Sequence, residues 1–380
     1  MSKRTEFLPY GQQWIEDDDI QAIVETLQSP YLTTGPKIAE FERSVADYVG
    51  AKYAVAFSNG TAALHGACYA AGVEAGDEVI TTPITFAASA NCARYLGANI
   101  IFADIDAKTY NIDPEKIKAA ITEKTKVIIP VDFTGQPCDI DAINTIAKEH
   151  NLVVIQDGAH SLGAEYKGKK VGTQADMMMF SFHPVKPVTT AEGGVIVTDN
   201  EQYYEKLKLF RTHGITTTEY ALEQGAWYYE MVDLGYNYRM TDLQAALGIS
   251  QMGKLQSFIK RRRWLAALYT ELLQGLKGVT VPYQSSDSVS GWHLYSIQLD
   301  EQIIGKSRKQ VFEEMRAANI GVHVHYIPVY WFPYYEQLGY TKGLCPIAEQ
   351  WYAGALTLPL YPKMSEDDVR EVVAILLSII

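Results

Sequence analysis

The chain has 380 residues, of which 47% are hydrophobic and 21% charged, enough apolar material for one large core and a second, smaller unit. Its formal net charge of −12 provides no basic footprint for nucleic acid and disfavours anionic membranes, so neither is an expected partner. Four scattered cysteines, Cys68, Cys92, Cys138 and Cys345, form no CxxC pair, which excludes a disulfide framework and a zinc site and fits a reducing compartment.

From the N-terminus, Met1 to Glu6 lead into no apolar leader, and the apolar tail at 372–380 is too short to span a bilayer. A cytoplasmic protein is expected. Ile20, Ile23, Val24 and Leu27 recur at helical spacing, which predicts an amphipathic helix over 15–27. It stops at Ser29-Pro30, and Gly35-Pro36 close a loop before a second helix with Ile38, Phe41, Val45 and Tyr48 on one face. Residues 53–57 read as a strand that ends in Ser58-Asn59-Gly60-Thr61 before a helix over 62–71. Free N–H groups at such a turn make an anion site, although an ordinary helix cap has the same composition.

Strand-like runs at 78–81, 100–105, 127–131, 153–155, 177–182 and 194–198 then alternate with helical runs at 89–96, 114–121 and 140–149. The alternation predicts βαβ units and a mostly parallel sheet with helices on both faces. Ligands of such sheets lie beyond the carboxyl ends of the strands. Ser58, Thr85 with Phe86, Asp132, Asp157 with His160, and Lys186 all fall there, which points to one site. Lys186 sits in a turn between two apolar runs. It is either a solvated loop lysine or a desolvated amine of lowered pKa able to form a Schiff base. Asp157 is either a carboxylate in need of a cation or donors, or a helix cap. Phe86 is open to a plain core role.

A helical run over 203–209 and a tyrosine-rich loop over 220–238 lead to Thr241, the expected cap of a helix that resumes through 260–276. Strands at 279–281, 292–299 and 322–326 with a helix at 309–318 predict a smaller antiparallel α/β unit, and the division is placed near Ser257, giving domains 1–256 and 257–380. Alternation at His323 and His325 puts both on one strand face, with no third ligand for a metal. No GxGxxG, HExxH or GxSxG motif occurs. The run 163–169 approaches a P-loop but has Lys170 where Ser or Thr is needed, and reads as a surface hairpin.

Thr34-Gly35-Pro36, Ser58-Asn59-Gly60-Thr61-Ala62-Ala63-Leu64, Asp157-Gly158-Ala159-His160-Ser161-Leu162-Gly163-Ala164, the Lys186 stretch, Gly235-Tyr236-Asn237-Tyr238-Arg239 and Val324-His325-Tyr326 cover nearly the whole chain. In that order they resemble the nucleotide-sugar aminotransferases of the DegT/DnrJ/EryC1/StrS family, which are fold-type I pyridoxal-phosphate enzymes. Ser181-Phe182-His183 with the run from Lys186 to Gly194 is similar, more narrowly, to the transaminases of pseudaminic acid biosynthesis. The sequence departs from the commoner family form at Gln156 and Gly158, where Glu and a small residue such as Ala are frequent.

The resemblance implies a large domain with a mostly parallel seven-stranded sheet, a smaller C-terminal α/β domain, and the cofactor pyridoxal 5′-phosphate (PLP). Lys186 is then the Schiff-base lysine and proton carrier, Asp157 the partner of the pyridine nitrogen, and His160 a neighbour of the ring oxygen. Phe86 stacks on the ring. Gly60, Thr61 and Ser181 bind the phosphate, and Asn237 reaches it from a second subunit, which implies a homodimer with its sites at the interface. Tyr10, Pro30, Tyr31, Leu32, Thr33, His323, Val324, His325 and Tyr326 match the family's sugar-nucleotide positions. The implied reaction moves the amino group of L-glutamate to the C4 ketone of a UDP-4-keto-6-deoxy-N-acetylhexosamine. Intact Lys186 argues against the dehydratases of the same fold, which carry histidine there, and against a silent binding protein.

Overall fold

A computed structural model of the chain describes residues 4–380, so Met1, Ser2 and Lys3 of the polar N-terminal stretch lie outside the described residues. Helix α1 (Asp17–Gln28) opens with a capping box between Glu16 and Asp19. Helix α2 (Pro36–Val49) starts at a proline and stops at Gly50, which takes the left-handed conformation. Strand β1 (Tyr53–Phe57) then feeds α3 (Gly60–Ala70), capped by the Asn59 side chain, which accepts from the Ala62 amide. The βα alternation continues through β2 (Glu78–Thr81), α4 (Ala88–Arg94), β3 (Asn99–Phe102), α5 (Pro114–Ala120), β4 (Thr125–Ile129), α6 (Ile140–His150) and β5 (Val153–Asp157). The near P-loop is a hairpin of β6 (Glu165–Tyr166) and β7 (Lys169–Lys170), turning through Lys167 and Gly168 at positive φ.

Strands β8 (Met177–Ser181) and β9 (Gly194–Thr198) complete a seven-stranded sheet in the order β1-β9-β8-β5-β4-β2-β3. Only β9 runs against its neighbours; the other pairings are parallel. Period-two alternation feeds two cores. Val55, Phe57, Val79, Ile155, Met177 and Met179 face one layer. Ala54, Ala56, Ile80, Val154, Met178 and Phe180 face the other, where α2 and α6 pack.

After α7 (Glu201–Phe210), the tyrosine-rich segment is more ordered than a loop. It forms β10 (Ile215–Thr216), α8 (Glu219–Gln224) and β11 (Glu230–Met231), with β10 and β11 paired. Helix α9 (Asp242–Leu273) is continuous, with a capping box of Thr241 and Gln244, so Ser257 lies inside a helix. Its first half, with Leu255 and Ile259, packs on the large sheet. Its second half, with Leu265 and Tyr269, packs in a third core. The changeover falls at Arg262, and Leu8 belongs to the third core, so the N-terminal segment packs with the C-terminal unit.

That unit contains β12 (Val279–Thr280), β13 (Ser288–Val289), which pairs with the β6 hairpin, and β14 (Tyr295–Leu299). Helices α10 (Glu301–Ile304), α11 (Arg308–Ala317), α12 (Pro333–Gln337) and α13 (Pro346–Gly354) precede β15 (Ala355–Leu358) and the closing helix α14 (Glu366–Ile379). The antiparallel sheet β12-β14-β15 takes its third strand from β15 and not from 322–326, where His323 makes a single bridge to Thr357. Residues Val322 to Tyr326 instead pair with the backbone of β15 only through that bridge, outside any strand. No helix among the described residues is long and apolar enough to cross a membrane.

Candidate active site

The carboxyl ends of β1, β5 and β8 bring the sequence candidates together from three directions. Asp157, the last residue of β5, is buried more deeply than its place at a strand end suggested. One carboxylate oxygen accepts from the Ser89 hydroxyl at 2.6 Å and the other from the Ala159 amide at 3.0 Å. Ser89 is itself oriented by Thr85, 2.7 Å between hydroxyls. Burial raises the Asp157 pKa, opposed by the Ser89 and Ala159 hydrogen bonds and by the charge of Lys186.

Lys186 lies in the turn between β8 and β9, tied by its amide to the His183 carbonyl at 2.9 Å. Burial, offset by Asp157 and reinforced by Arg262, lowers its pKa to about 8. Of the two readings open to the sequence this favours the desolvated amine, in a residue that is half-buried as a whole. His160 donates or accepts through Nε2 with the Tyr326 hydroxyl at 3.1 Å, and burial first, then Lys186, push its pKa well down, so the ring is neutral. Tyr10 packs its ring against His323 and His325 at centroid distances of 5.2 and 5.4 Å, and His325 is held by the Thr357 hydroxyl at 2.9 Å.

At the start of α3, the Gly60 and Thr61 amides have no hydrogen-bond partner among the described residues. A Cβ on Gly60 would lie 3.5 Å from the Ser181 hydroxyl, so Ser181 borders the same opening. Gly194 is required by a close approach, since a Cβ there would stand 2.5 Å from the Asn59 carbonyl oxygen.

Other candidates are not joined to this cluster. Phe86 is 64% exposed. Pro30, Tyr31, Leu32 and Thr33 are exposed beside the start of α9, where the Asp242 amide donates to the Leu32 carbonyl and Thr33 bridges Thr241. Asn237 is exposed, with a backbone bridge to Thr212. Val324 is part-buried between the two histidines. Asp132 belongs to a separate network: it accepts from Ser161 at 2.6 Å, Gln156 at 2.8 Å and the Cys138 amide at 2.9 Å.

Sequence reasoning missed three residues. Ser89 follows the marked Thr85 by one helical turn. His293 interrupts an apolar run that read as a strand, yet its Nε2 lies 3.5 Å from Lys186 Nζ. Arg262, fully buried, donates to the carbonyls of Leu360 at 2.8 Å, His293 at 3.2 Å and Val185 at 3.3 Å. Its signal was positional: with Phe258, Ile259, Leu265, Ala266 and Tyr269 buried, position 262 falls on the apolar stripe of α9.

Residues 13–377 match the DegT/DnrJ/EryC1/StrS aminotransferase family. The chain belongs to this family. It is 43% identical to the spore coat polysaccharide biosynthesis protein SpsC of Bacillus subtilis, covering 98% of this chain and 97% of that one. It is 38% identical to the UDP-4-amino-4,6-dideoxy-N-acetyl-beta-L-altrosamine transaminase of Campylobacter jejuni strain 81-176, with the same coverage. Among solved structures, Helicobacter pylori PseC, an aminotransferase involved in the biosynthesis of pseudoaminic acid, superimposes with a TM-score of 0.92 at 32% identity over 98% of this chain and 99% of that one. This family member is therefore a PLP-dependent sugar aminotransferase with the fold expected of one. The described cluster fits such a cofactor: two amides free at a helix start suit a phosphate, and His160 Nδ1 is buried without a partner, both among the described residues.

Proposed function

We propose that this aminotransferase moves the amino group of L-glutamate to C4 of UDP-2-acetamido-2,6-dideoxy-β-L-arabino-hex-4-ulose, giving UDP-4-amino-4,6-dideoxy-N-acetyl-β-L-altrosamine. The arrangement that carries the chemistry is Lys186, in the turn that follows β8, beyond the carboxyl end of the parallel pair whose other strand, β5, ends in the buried Asp157 carboxylate; burial lowers the amine's pKa and the Asp157 charge opposes it. The C. jejuni relative supports the choice of sugar.

PLP, when bound, supplies an electron sink for the carbon whose proton is removed. In this reading Lys186 would hold the cofactor and, once free of it, its amine would carry the proton between the two reacting carbons. Asp157, kept ionised by Ser89, the Ala159 amide and a cationic partner, holds the pyridine nitrogen protonated. His160 would neighbour the ring oxygen, Phe86 would cover the ring face, and Gly60, Thr61 and Ser181 would receive the phosphate. The sugar nucleotide is read by Tyr10, His323, Val324, His325 and Tyr326, together with Pro30, Tyr31, Leu32 and Thr33. Holding amine and ketone in register supplies the orientation term.

The assembly is a homodimer in which the partner subunit's Asn237 completes the phosphate site. Support comes from the segment around β10 and β11, where Leu222, Trp227, Tyr229, Met231, Val232 and Leu234 are exposed, apolar side chains that a second copy of the chain would cover. The net charge of −12 provides no overall attraction for nucleic acid or anionic membranes, and this reading includes neither; it places the enzyme in the cytoplasm.

The test is the visible absorbance of the purified protein and of Lys186→Ala, before and after L-glutamate. A band that glutamate bleaches and the UDP-4-keto sugar restores, absent from Lys186→Ala, is the expected result. Bleaching without recovery rejects the sugar and favours another nucleotide-linked keto sugar or a keto-inositol. No band after added PLP would leave a silent binding protein.

A further inference from the structure

Among the described residues, the only side chain within hydrogen-bonding range of the Lys186 amine is His293, with Nε2 at 3.5 Å from Nζ. The ring is not there by accident of a loose loop. The Gly291 amide donates to Gly135 O at 2.9 Å and the Leu294 amide to Thr134 O at 3.2 Å, pinning the segment on either side of His293. Gly135 makes this approach possible: its φ is +107°, and a Cβ there would stand 2.8 Å from both Trp292 N and His160 O. The His160 ring lies against the His293 ring with centroids 4.5 Å apart.

One buried guanidinium spans the contact. Arg262 donates through Nη1 to His293 O and through Nη2 to Val185 O, the residue before Lys186. A rigid planar fork thus sets the distance between the two main chains that carry the histidine and the lysine.

We propose that His293 is a positioning residue for Lys186: its Nε2 holds the amine through both protonation states, and Arg262 holds His293 in place to do so. His293 Nδ1 is buried with no partner among the described residues, so no second hydrogen bond fixes the tautomer. Nε2 can accept from the ammonium and donate to the neutral amine. A lysine side chain has large rotamer entropy, and a partner in each state keeps the amine in one place while it is free of the cofactor. Burial pushes the His293 pKa well below its ordinary value, which favours the neutral ring over one that stores the proton. The remaining titratable or charged groups that act on or are acted on by Lys186 are Asp157, Arg262, His160, His183 and His325. Of the two states, ammonium to imidazole is the charge-assisted and stronger contact, so His293 favours the protonated amine against burial and Arg262.

The inference rests on Lys186 being the cofactor lysine, but its test does not need cofactor. The full-length chain, stripped of PLP, is reductively methylated with formaldehyde and cyanoborohydride across pH, and the Lys186 peptide is followed by mass spectrometry with the exposed Lys309 as internal standard. His293→Phe is expected to move the Lys186 midpoint down by on the order of one pH unit. His293→Gln, which keeps an acceptor and a donor, is expected to return it to the wild-type value. An unmoved midpoint in His293→Phe, or an equal shift in both variants, overturns the proposal. If His293→Phe does not fold, the ring ¹⁵N shifts of His293 in wild type and Lys186→Met decide: a changed Nε2 shift supports the contact and an unchanged one overturns it. Failure of the cofactor reading shows separately, as a visible band that survives Lys186→Ala.

Discussion

Asp132 and Asp157 are neighbours with different work. They stand at the ends of adjacent parallel strands, and their backbones are bonded: the Asp132 amide donates to Asp157 O at 3.0 Å, and the Asp157 amide to Pro130 O at 2.8 Å. Both carboxylates are buried, and burial raises the pKa of both. Asp132 is surrounded by neutral donors, Ser161, Gln156 and the Cys138 amide, and its pKa rises to about 6. Asp157 has two neutral donors and, in addition, the field of Lys186. Strand parity separates them. Gln156 points to the layer of Val154 and Met178, where it meets Asp132, while Asp157 points with Ile155 to the layer of α3 and α4, where Ser89 lies. A carboxylate whose acceptors are filled by its own fold stabilises a loop; one left with capacity and a cation nearby is free for a ligand.

The comparison breaks first at turnover. Asp157→Asn is expected to lower kcat by on the order of a hundredfold or more, with little change in melting temperature. Asp132→Asn is expected to do the reverse. It presents an amide N–H₂ to groups that are themselves donors, costs about 3 kcal/mol in urea unfolding, and leaves the kcat of the folded fraction within a few-fold of wild type. Loss of kcat in folded Asp132→Asn would make the two carboxylates one site.

The cation sharpens the contrast. Lys186 has a folded pKa of about 8 against 10.5 for a free lysine, so the native chain binds fewer protons than the unfolded one between those values. Stability of the PLP-free chain therefore rises as pH climbs from 8 to 10.5, and the penalty of the half-buried ammonium is complete well below pH 8. Lys186→Met is expected to be more stable than wild type by about 2 kcal/mol at pH 7, partial exposure having reduced the full effect, and the gap should close by pH 10.5. A gap independent of pH in paired urea titrations would mean the amine is not desolvated.

The smallest effect concerns Gly158, one of the two departures from the commoner family form. A Cβ there would lie 2.3 Å from Met178 Cε, the end of a flexible side chain, and 3.0 Å from Met179 O. Gly158→Ala is expected to cost about 1 kcal/mol, and Met178→Val in the same chain to recover part of it in a double-mutant cycle. Additivity of the two changes would show that Met179 O, and not Met178, limits the space.

Much of the site was legible because each piece carries a local signature. The turn after β1, Asp157 at a strand end and Lys186 between two apolar runs are all visible at short range, and their shared place beyond a parallel sheet follows from the alternation of elements. The antiparallel unit was legible only in part. Residues 322–326 have the apolar alternation of a strand, but the ladder position beside β14 is taken by Ala355–Leu358. A periodic pattern shows that a segment can pair, not which segment arrives first at a given edge.

The sequence by itself determined the fold class and the family, and it marked the lysine, carboxylate and histidine proposed for the site, because strand and helix periods and short motifs are properties of neighbouring residues. Only the tertiary structure decided which buried carboxylate is spent on its own fold, that the 32-residue helix α9 joins two cores, and that Arg262 and His293, 76 and 107 residues beyond Lys186, close around it. Those choices depend on where distant hydrogen-bond donors, acceptors and apolar faces meet, and no local pattern records that.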